Sequence, residues 1–224
     1  MQEQRESRIE AGMSRGATAR LFAAVELPAT VREELLAWTQ GVAGRRLARA
    51  GREAPGTLRV LEASSLHLTL CFLGSRPVEE ISRATGAIAE ALDRHLEDAP
   101  ELSLGAPLWL PPKHPRALTV EVRDDSGTLQ RLQGALAEAL AGAIDWQPER
   151  RRFKAHITVA RMRADRARGR SRAGQGHDPL PPTPQLRFSA PAVALYRSWL
   201  SPHGASYEVI ARLSLAAASG AARG

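Results

Sequence analysis

Leu66-His67-Leu68-Thr69-Leu70-Cys71-Phe72-Leu73-Gly74 alternates apolar and hydrogen-bonding side chains until Leu70, which is the period of a β-strand packed on one side. Strict alternation puts Leu66, Leu68, Leu70 and Phe72 on the packed face. It puts His67, Thr69, Cys71 and Leu73 on the other, with Gly74 ending the strand. The pattern returns in Phe153-Lys154-Ala155-His156-Ile157-Thr158-Val159-Ala160-Arg161, 89 residues further on (156 − 67). Each copy therefore sets an imidazole and a hydroxyl two residues apart on one strand face. If the two strands run side by side, four such groups converge on one patch.

The chain on either side of these strands is organised similarly. Arg20-Leu21-Phe22-Ala23-Ala24-Val25-Glu26-Leu27 reads as a buried strand closed by Pro28, which suits the first turn of a helix over about 29–50. Leu58 to Leu61 reads as a short strand. Pro77 opens a helix to about residue 95, with Ile81, Ala84, Ile88, Ala91 and Leu92 on one side. Leu102 to Leu110 and Ala117 to Val122 read as strands joined by Pro111-Pro112-Lys113-His114-Pro115. Asp124, Asp125 or Ser126 can cap a helix to about Ala143. The last strands fall in 186–196 and 207–215. Strand, helix, strand, strand, helix, then much the same again, implies an α+β fold built by internal duplication. The expected organisation is a disordered tail over 1–18 and a single bilobal domain over 19–215. A mobile basic loop covers 162–183, and the C-terminus frays over 216–224.

Composition narrows the function classes. The polar start lacks the apolar run of a signal peptide, and no stretch of 18 apolar residues offers a membrane span. Cys71 is the only cysteine, so no internal disulfide can form, which fits a reducing cytoplasm. The net charge is +7, and all basic residues but Lys113 and Lys154 are arginine. Arginine forks suit a phosphate-bearing partner, while an Arg- and Ala-rich chain equally fits a GC-rich coding bias.

Two imidazoles and two hydroxyls in one patch are what in-line displacement at phosphorus asks for. One histidine takes a proton from the nucleophile, the other gives one to the leaving oxygen, and hydroxyls stabilise the non-bridging oxygens. No carboxylate–histidine cluster has metal-ligand spacing, so no cofactor is expected. A lone His-x-Thr strand is structural more often than catalytic; two matched copies reverse that balance.

These two motifs, together with Arg20 to Pro28, Phe72-Leu73-Gly74, Phe153, Arg161 and the stretch from Leu195-Tyr196-Arg197-Ser198 through Gly204 to Tyr207, resemble the two-histidine (2H) phosphoesterase superfamily. Within it the likeness is to the RNA 2′,3′-cyclic phosphodiesterases, also called 2′-5′ RNA ligases, over about residues 19–215. The resemblance implies a bilobal α+β fold with two pseudo-symmetric antiparallel sheets and outer helices around a central cleft. It implies opening of a 2′,3′-cyclic phosphate on RNA or a nucleotide to the 2′-phosphomonoester. His67 and His156 match the catalytic histidines, Thr69 and Thr158 the phosphate-binding threonines, and Arg161 a phosphate-contacting arginine. The family commonly has proline where this chain has Ala155, which implies looser local backbone.

Several expectations follow. The chain acts as a monomer on RNA with a 2′,3′-cyclic phosphate end or on a cyclic nucleotide, with His156 as base and His67 as acid. The alternatives are a 2′-5′ RNA ligase, an enzyme for another cyclic phosphate such as ADP-ribose 1″,2″-cyclic phosphate, or an RNA-end-binding module with little turnover. By alternation Arg161 lies on the face opposite His156 unless the strand bulges before it. Tyr207 is a candidate for base stacking or for the core. Cys71 reads as an apolar filler, and His95, His114, His177 and His203 as solvated. Arg163, Arg166, Arg168, Arg170 and Arg172 are either a solvated loop or a hold on RNA backbone.

Overall fold

In the computed structural model the described residues are 16–50, 58–95, 98–162, 179–201 and 204–215. Most of the N-terminal tail, the arginines from Arg163 to Arg172, His177, His203 and residues 216–224 lie outside them. The described elements, in chain order, begin with β1 (Thr18–Glu26), α1 (Ala29–Ala50) and β2 (Leu58–Val60). After a short 3₁₀ turn at Ala63–Ser65 come β3 (His67–Pro77), α2 (Glu80–His95), β4 (Glu101–Leu110) and β5 (Ala117–Arg123). Then follow α3 (Thr128–Ala143), β6 (His156–Met162), β7 (Arg187–Ser189), β8 (Ala192–Ser201) and β9 (Gly204–Ser214). α3 begins where the sequence offers caps. The Asp124 carboxylate accepts from the amides of Leu129 (2.8 Å) and Gln130 (3.3 Å), and the Ser126 hydroxyl from that of Thr128 (3.1 Å).

The strands pair antiparallel in the order β7-β4-β5-β6-β3-β1-β8-β9, with β2 also on β6. The two expected sheets are thus the halves of one sheet. They meet at a single register pair, Leu68 with Ile157, between β3 and β6. Both side chains are fully buried in the main core, where Leu35, Ile88, Leu132 and Leu136 of the three helices also lie. Truncating either to alanine should cost about 2–5 kcal/mol. Among the described residues the other face carries a small separate cluster, Phe22, Ala24, Ala194 and Tyr196 with Tyr207 against it, to which no helix contributes. This is the open face, and the motif side chains at odd steps from Leu68 and Ile157 point to it.

The duplication goes down to individual register pairs. Val25 faces Leu68 as Val120 faces Ile157, and Ala24 faces Thr69 as Thr119 faces Thr158. Ala23 then faces Cys71 as Leu118 faces Ala160, so Leu70 and Val159 are each an extra residue at the same place. Each motif strand therefore bulges directly after its threonine, and a bulge reverses the alternation beyond it. That corrects the faces expected for β3. Cys71 and Leu73 turn into the core, while Phe72 turns out and is 50% exposed. Nor does β3 stop at Gly74. Gly74 sits at φ 73, a left-handed conformation natural to glycine, at a second irregularity, and the strand continues to Pro77.

Candidate active site

Because β3 and β6 are antiparallel and register Leu68 against Ile157, one step to either side sets His67 against Thr158 and Thr69 against His156. All four side chains share the open face, and all four are partly exposed. Two motifs 89 residues apart (156 − 67) thus form one small square of alternating imidazole and hydroxyl. Among the described residues neither threonine hydroxyl has a hydrogen-bond partner. By contrast Thr119, beside Thr158, is buried and donates to the Leu108 carbonyl at 3.0 Å.

The same local device orients both imidazoles. His67 Nδ1 lies 2.9 Å from the Ser65 carbonyl, and His156 Nδ1 lies 2.7 Å from the Lys154 carbonyl, each two residues upstream. A carbonyl only accepts, so Nδ1 carries the proton in both rings, and the neutral rings present a bare Nε2. Each histidine also faces a glutamate on its outer neighbour strand, Glu26 on β1 and Glu121 on β5. Those carboxylates are engaged elsewhere. Arg212 Nε reaches Glu26 at 2.7 Å, and Arg123 Nε reaches Glu121 at 3.5 Å. The glutamates balance local charge, while backbone carbonyls set the tautomers.

The surroundings of the two rings differ. His67 packs against Phe22 (centroids 4.7 Å apart), Tyr207 (5.1 Å, edge-on) and Tyr196 (5.7 Å). Burial in this cluster, helped by the positive charges of Arg161 and His156 and opposed by the pull of the Ser65 carbonyl, lowers its pKa to about 4. No aromatic ring stands beside His156 among the described residues.

Arg161 reaches the site by the bulge at Val159. Without the extra residue it would point away from Thr158; with it, Arg161 pairs with Ala117 on the open face, near enough for its charge to act on His67. The residue at the matching place in the first copy is Phe72, five after His67 as Arg161 is five after His156. The Arg20 guanidinium lies over the Phe72 ring, 4.7 Å from its centroid. Sequence reasoning missed Phe72, Arg20, Glu26 and Glu121 as parts of this face. The signal available was the shared offset of five from each histidine and the Val-Glu pair that recurs at Val25-Glu26 and Val120-Glu121. Tyr207 sits at the edge of the site, on His67. Cys71 is buried and its thiol is pushed up to about 12, mainly by burial, so it stays protonated. His95 and His114 are exposed.

Among the described residues no three His, Cys, Asp or Glu side chains are grouped to hold a metal ion, and no helix is long and apolar enough to cross a membrane.

A helix-backed, duplicated antiparallel sheet with one His-x-Thr strand from each half is the fold of the two-histidine phosphoesterases. Solved structures bear this out. A Thermus thermophilus protein superposes with a TM-score of 0.65 at 28% identity, covering 89% of this chain and 99% of that one. Escherichia coli LigT, solved with 3′-AMP, gives 0.64 at 24% identity over the same shares. The chain belongs to the 2′-5′ RNA ligase superfamily, whose sequence profile matches residues 37–198. Among its relatives is the RNA 2′,3′-cyclic phosphodiesterase of T. thermophilus, 31% identical over 88% of this chain and 90% of the relative. The enzyme of the same name from Archaeoglobus fulgidus is 28% identical over 64% of this chain and 73% of its own length.

Proposed function

We propose that the chain hydrolyses 2′,3′-cyclic phosphates at RNA ends or on nucleotides to the 2′-phosphomonoester, with His67 and His156 as the proton-transfer pair. The observation that carries this reading is the register pair Leu68–Ile157, which draws both His-x-Thr units onto one patch of the open face. The names of the relatives support the substrate class. Thr69 and Thr158 donate to the non-bridging oxygens, and Arg161 offsets the charge that grows on them.

The unlike surroundings divide the labour. His67, held neutral by burial, accepts the proton of the attacking water at Nε2. His156, entering the reaction as the imidazolium, donates its Nε2 proton to the departing 3′ oxygen. The product leaves with the acid's proton; His67 then gives its proton to solvent and His156 takes one back, which resets the pair. This is the reverse of the expectation from sequence, which had no view of the aromatic cluster around His67. We place the reaction in the cytoplasm and in a monomer, supported by the single buried cysteine and by the presence of the whole histidine–threonine square in one chain.

The test is hydrolysis of a nucleoside 2′,3′-cyclic phosphate in EDTA by the wild type, His67→Ala and His156→Ala, with identification of the product isomer. Turnover to the 2′-phosphate by the wild type alone supports the reading. No turnover of cyclic nucleotides or cyclic-ended RNA overturns it. The family's description favours one second reading, sealing of a 2′-5′ linkage by the reverse reaction in the same site. Incubation of a 2′,3′-cyclic-ended strand with a 5′-hydroxyl strand would reveal it as a longer product.

A further inference from the structure

The duplication breaks at its outer strands. β8 lies on β1 as β4 lies on β5, and β9 then runs beside the whole of β8, from Ala192 with Ser214 to Ser201 with Gly204. β7, the counterpart of β9, meets β4 only over Glu101–Ser103. Among the described residues the rest of β4 therefore has no strand on its outer side. Register carries Thr158 to Thr119 and on to Leu108, and Arg161 to Ala117 and on to Leu110. Directly opposed residues share a face, so Leu108 and Leu110 stand on the open face in the rows of Thr158 and Arg161. Trp109 between them packs against the main core, as alternation requires. Leu108 is 41% exposed and Leu110 half-buried. In the first half the matching rows end in Ala194 and Tyr196, both buried in the aromatic cluster. One half closes its rows with rings; the other leaves leucines open, about 10 Å, or two strand spacings, from Thr158.

The proposed reaction constrains where a nucleoside lies. In-line displacement puts the attacking water and the leaving 3′ oxygen on opposite sides of phosphorus, and His67 holds the water. The ribose that carries the 3′ oxygen then lies toward His156, and its base extends over β5 and β4. Leu108 and Leu110 offer an apolar surface there, at the distance a nucleoside spans from its 3′ oxygen to its base. Apolar side chains uncovered beside convergent polar groups suit the flat face of a ligand. We propose that Leu108 is a specificity-determining residue: its side chain, with Leu110 beside it, is the platform on which the base of the reacting nucleotide lies. This deepens the functional reading above, by naming the half of the sheet that holds the base, and rests on it.

The experiment compares wild type, Leu108→Asn, Leu108→Met and Phe72→Ala on a nucleoside 2′,3′-cyclic phosphate and on methyl riboside 2′,3′-cyclic phosphate, which has the same reacting group and no base. The ratio of kcat/KM, nucleoside over riboside, should fall about tenfold in Leu108→Asn, the low end for a lost apolar pocket contact, and mainly through KM. Leu108→Met, which keeps an apolar side chain of similar volume, should keep most of the ratio. Each protein is its own reference, so a general loss of folding or activity leaves the ratio untouched. An unchanged ratio in Leu108→Asn overturns the proposal. So does a ratio that falls in Phe72→Ala instead, which would put the base on the aromatic half. If the wild type turns over neither compound, the functional reading has failed. The ratio of Kd for the nucleoside 2′-phosphate and methyl riboside 2′-phosphate in the same proteins then decides the role of Leu108, an unchanged ratio in Leu108→Asn overturning it.

Discussion

The two halves of the sheet are duplicates in backbone and unlike in surroundings. β1 with β3 and β5 with β6 share pairing register, bulge position, carbonyl-held imidazole and facing glutamate. Yet His67 sits in a ring of Phe22, Tyr196 and Tyr207, while His156 has no such wall among the described residues, and the matched positions five residues on carry Phe72 and Arg161. Duplication explains how one patch acquired two imidazoles. Divergence around them is what would let identical side chains do opposite jobs in the proposed reaction, because burial and neighbouring charge, not residue type, hold the His67 ring neutral.

The largest expected effect treats the halves alike. His67→Ala and His156→Ala should each lower kcat by about 10³, within the range for lost general acid–base catalysis, and the double variant should fall little further. Single-turnover rates on a cyclic nucleotide check this; a variant within tenfold of wild type breaks the pairing. Next, Thr69→Ala and Thr158→Ala should cost about 10²-fold each and nearly equally, as expected for one lost donor to a developing oxyanion. A large inequality would mean that the two hydroxyls do not share the phosphate.

Arg161→Ala sharpens the difference between halves. It should lower kcat/KM by roughly 10²-fold, as for loss of a charged group that stabilises the transition state. It should also move the acid limb of the kcat/KM–pH profile upward, because the Arg161 charge helps hold His67 down. Phe72→Ala, at the matching place, carries no charge and should leave that limb in place. A profile unmoved by Arg161→Ala would put Arg161 outside the site.

Stability offers a gentler test. His67 takes up a proton near pH 4 when folded and near its ordinary 6.5 when unfolded. Between these values the unfolded chain binds the extra proton, so stability should climb with pH from about 4 to 6.5 and gain nothing further from this group above. Urea midpoints for wild type and His67→Gln should diverge in shape across that window. The smallest effect belongs to Ala155→Pro. It should leave kcat within about twofold and add at most ~1 kcal/mol of stability by restricting the unfolded chain. A large fall in kcat would show that the Ala155 amide or its backbone angle serves the fold.

Much of this was legible in the chain. His67, Thr69, His156 and Thr158 stand out because strand alternation is local. Leu68 and Ile157 announce the packed face, and proline and the Asp124–Ser126 cap mark helix starts. The bulges at Leu70 and Val159 were not legible, since a bulge is a mismatch between two strands and one strand's pattern contains only half of it. That one omission sent Phe72 to the core and Cys71 to the open face, and left Arg161 pointing the wrong way. The difference between the histidines was hidden for a similar reason. Phe22, Tyr196 and Tyr207 come from three strands that meet at His67 only when the sheet is assembled.

The most direct test of that difference is an NMR titration of the imidazole Cε1–H signals, assigned with His67→Gln and His156→Gln. The His67 ring should stay neutral through the physiological range and protonate only near pH 4. A His67 signal that titrates at its ordinary 6.5 or above would contradict the assignment of His67 as the base and the claim that its aromatic surroundings separate the two halves.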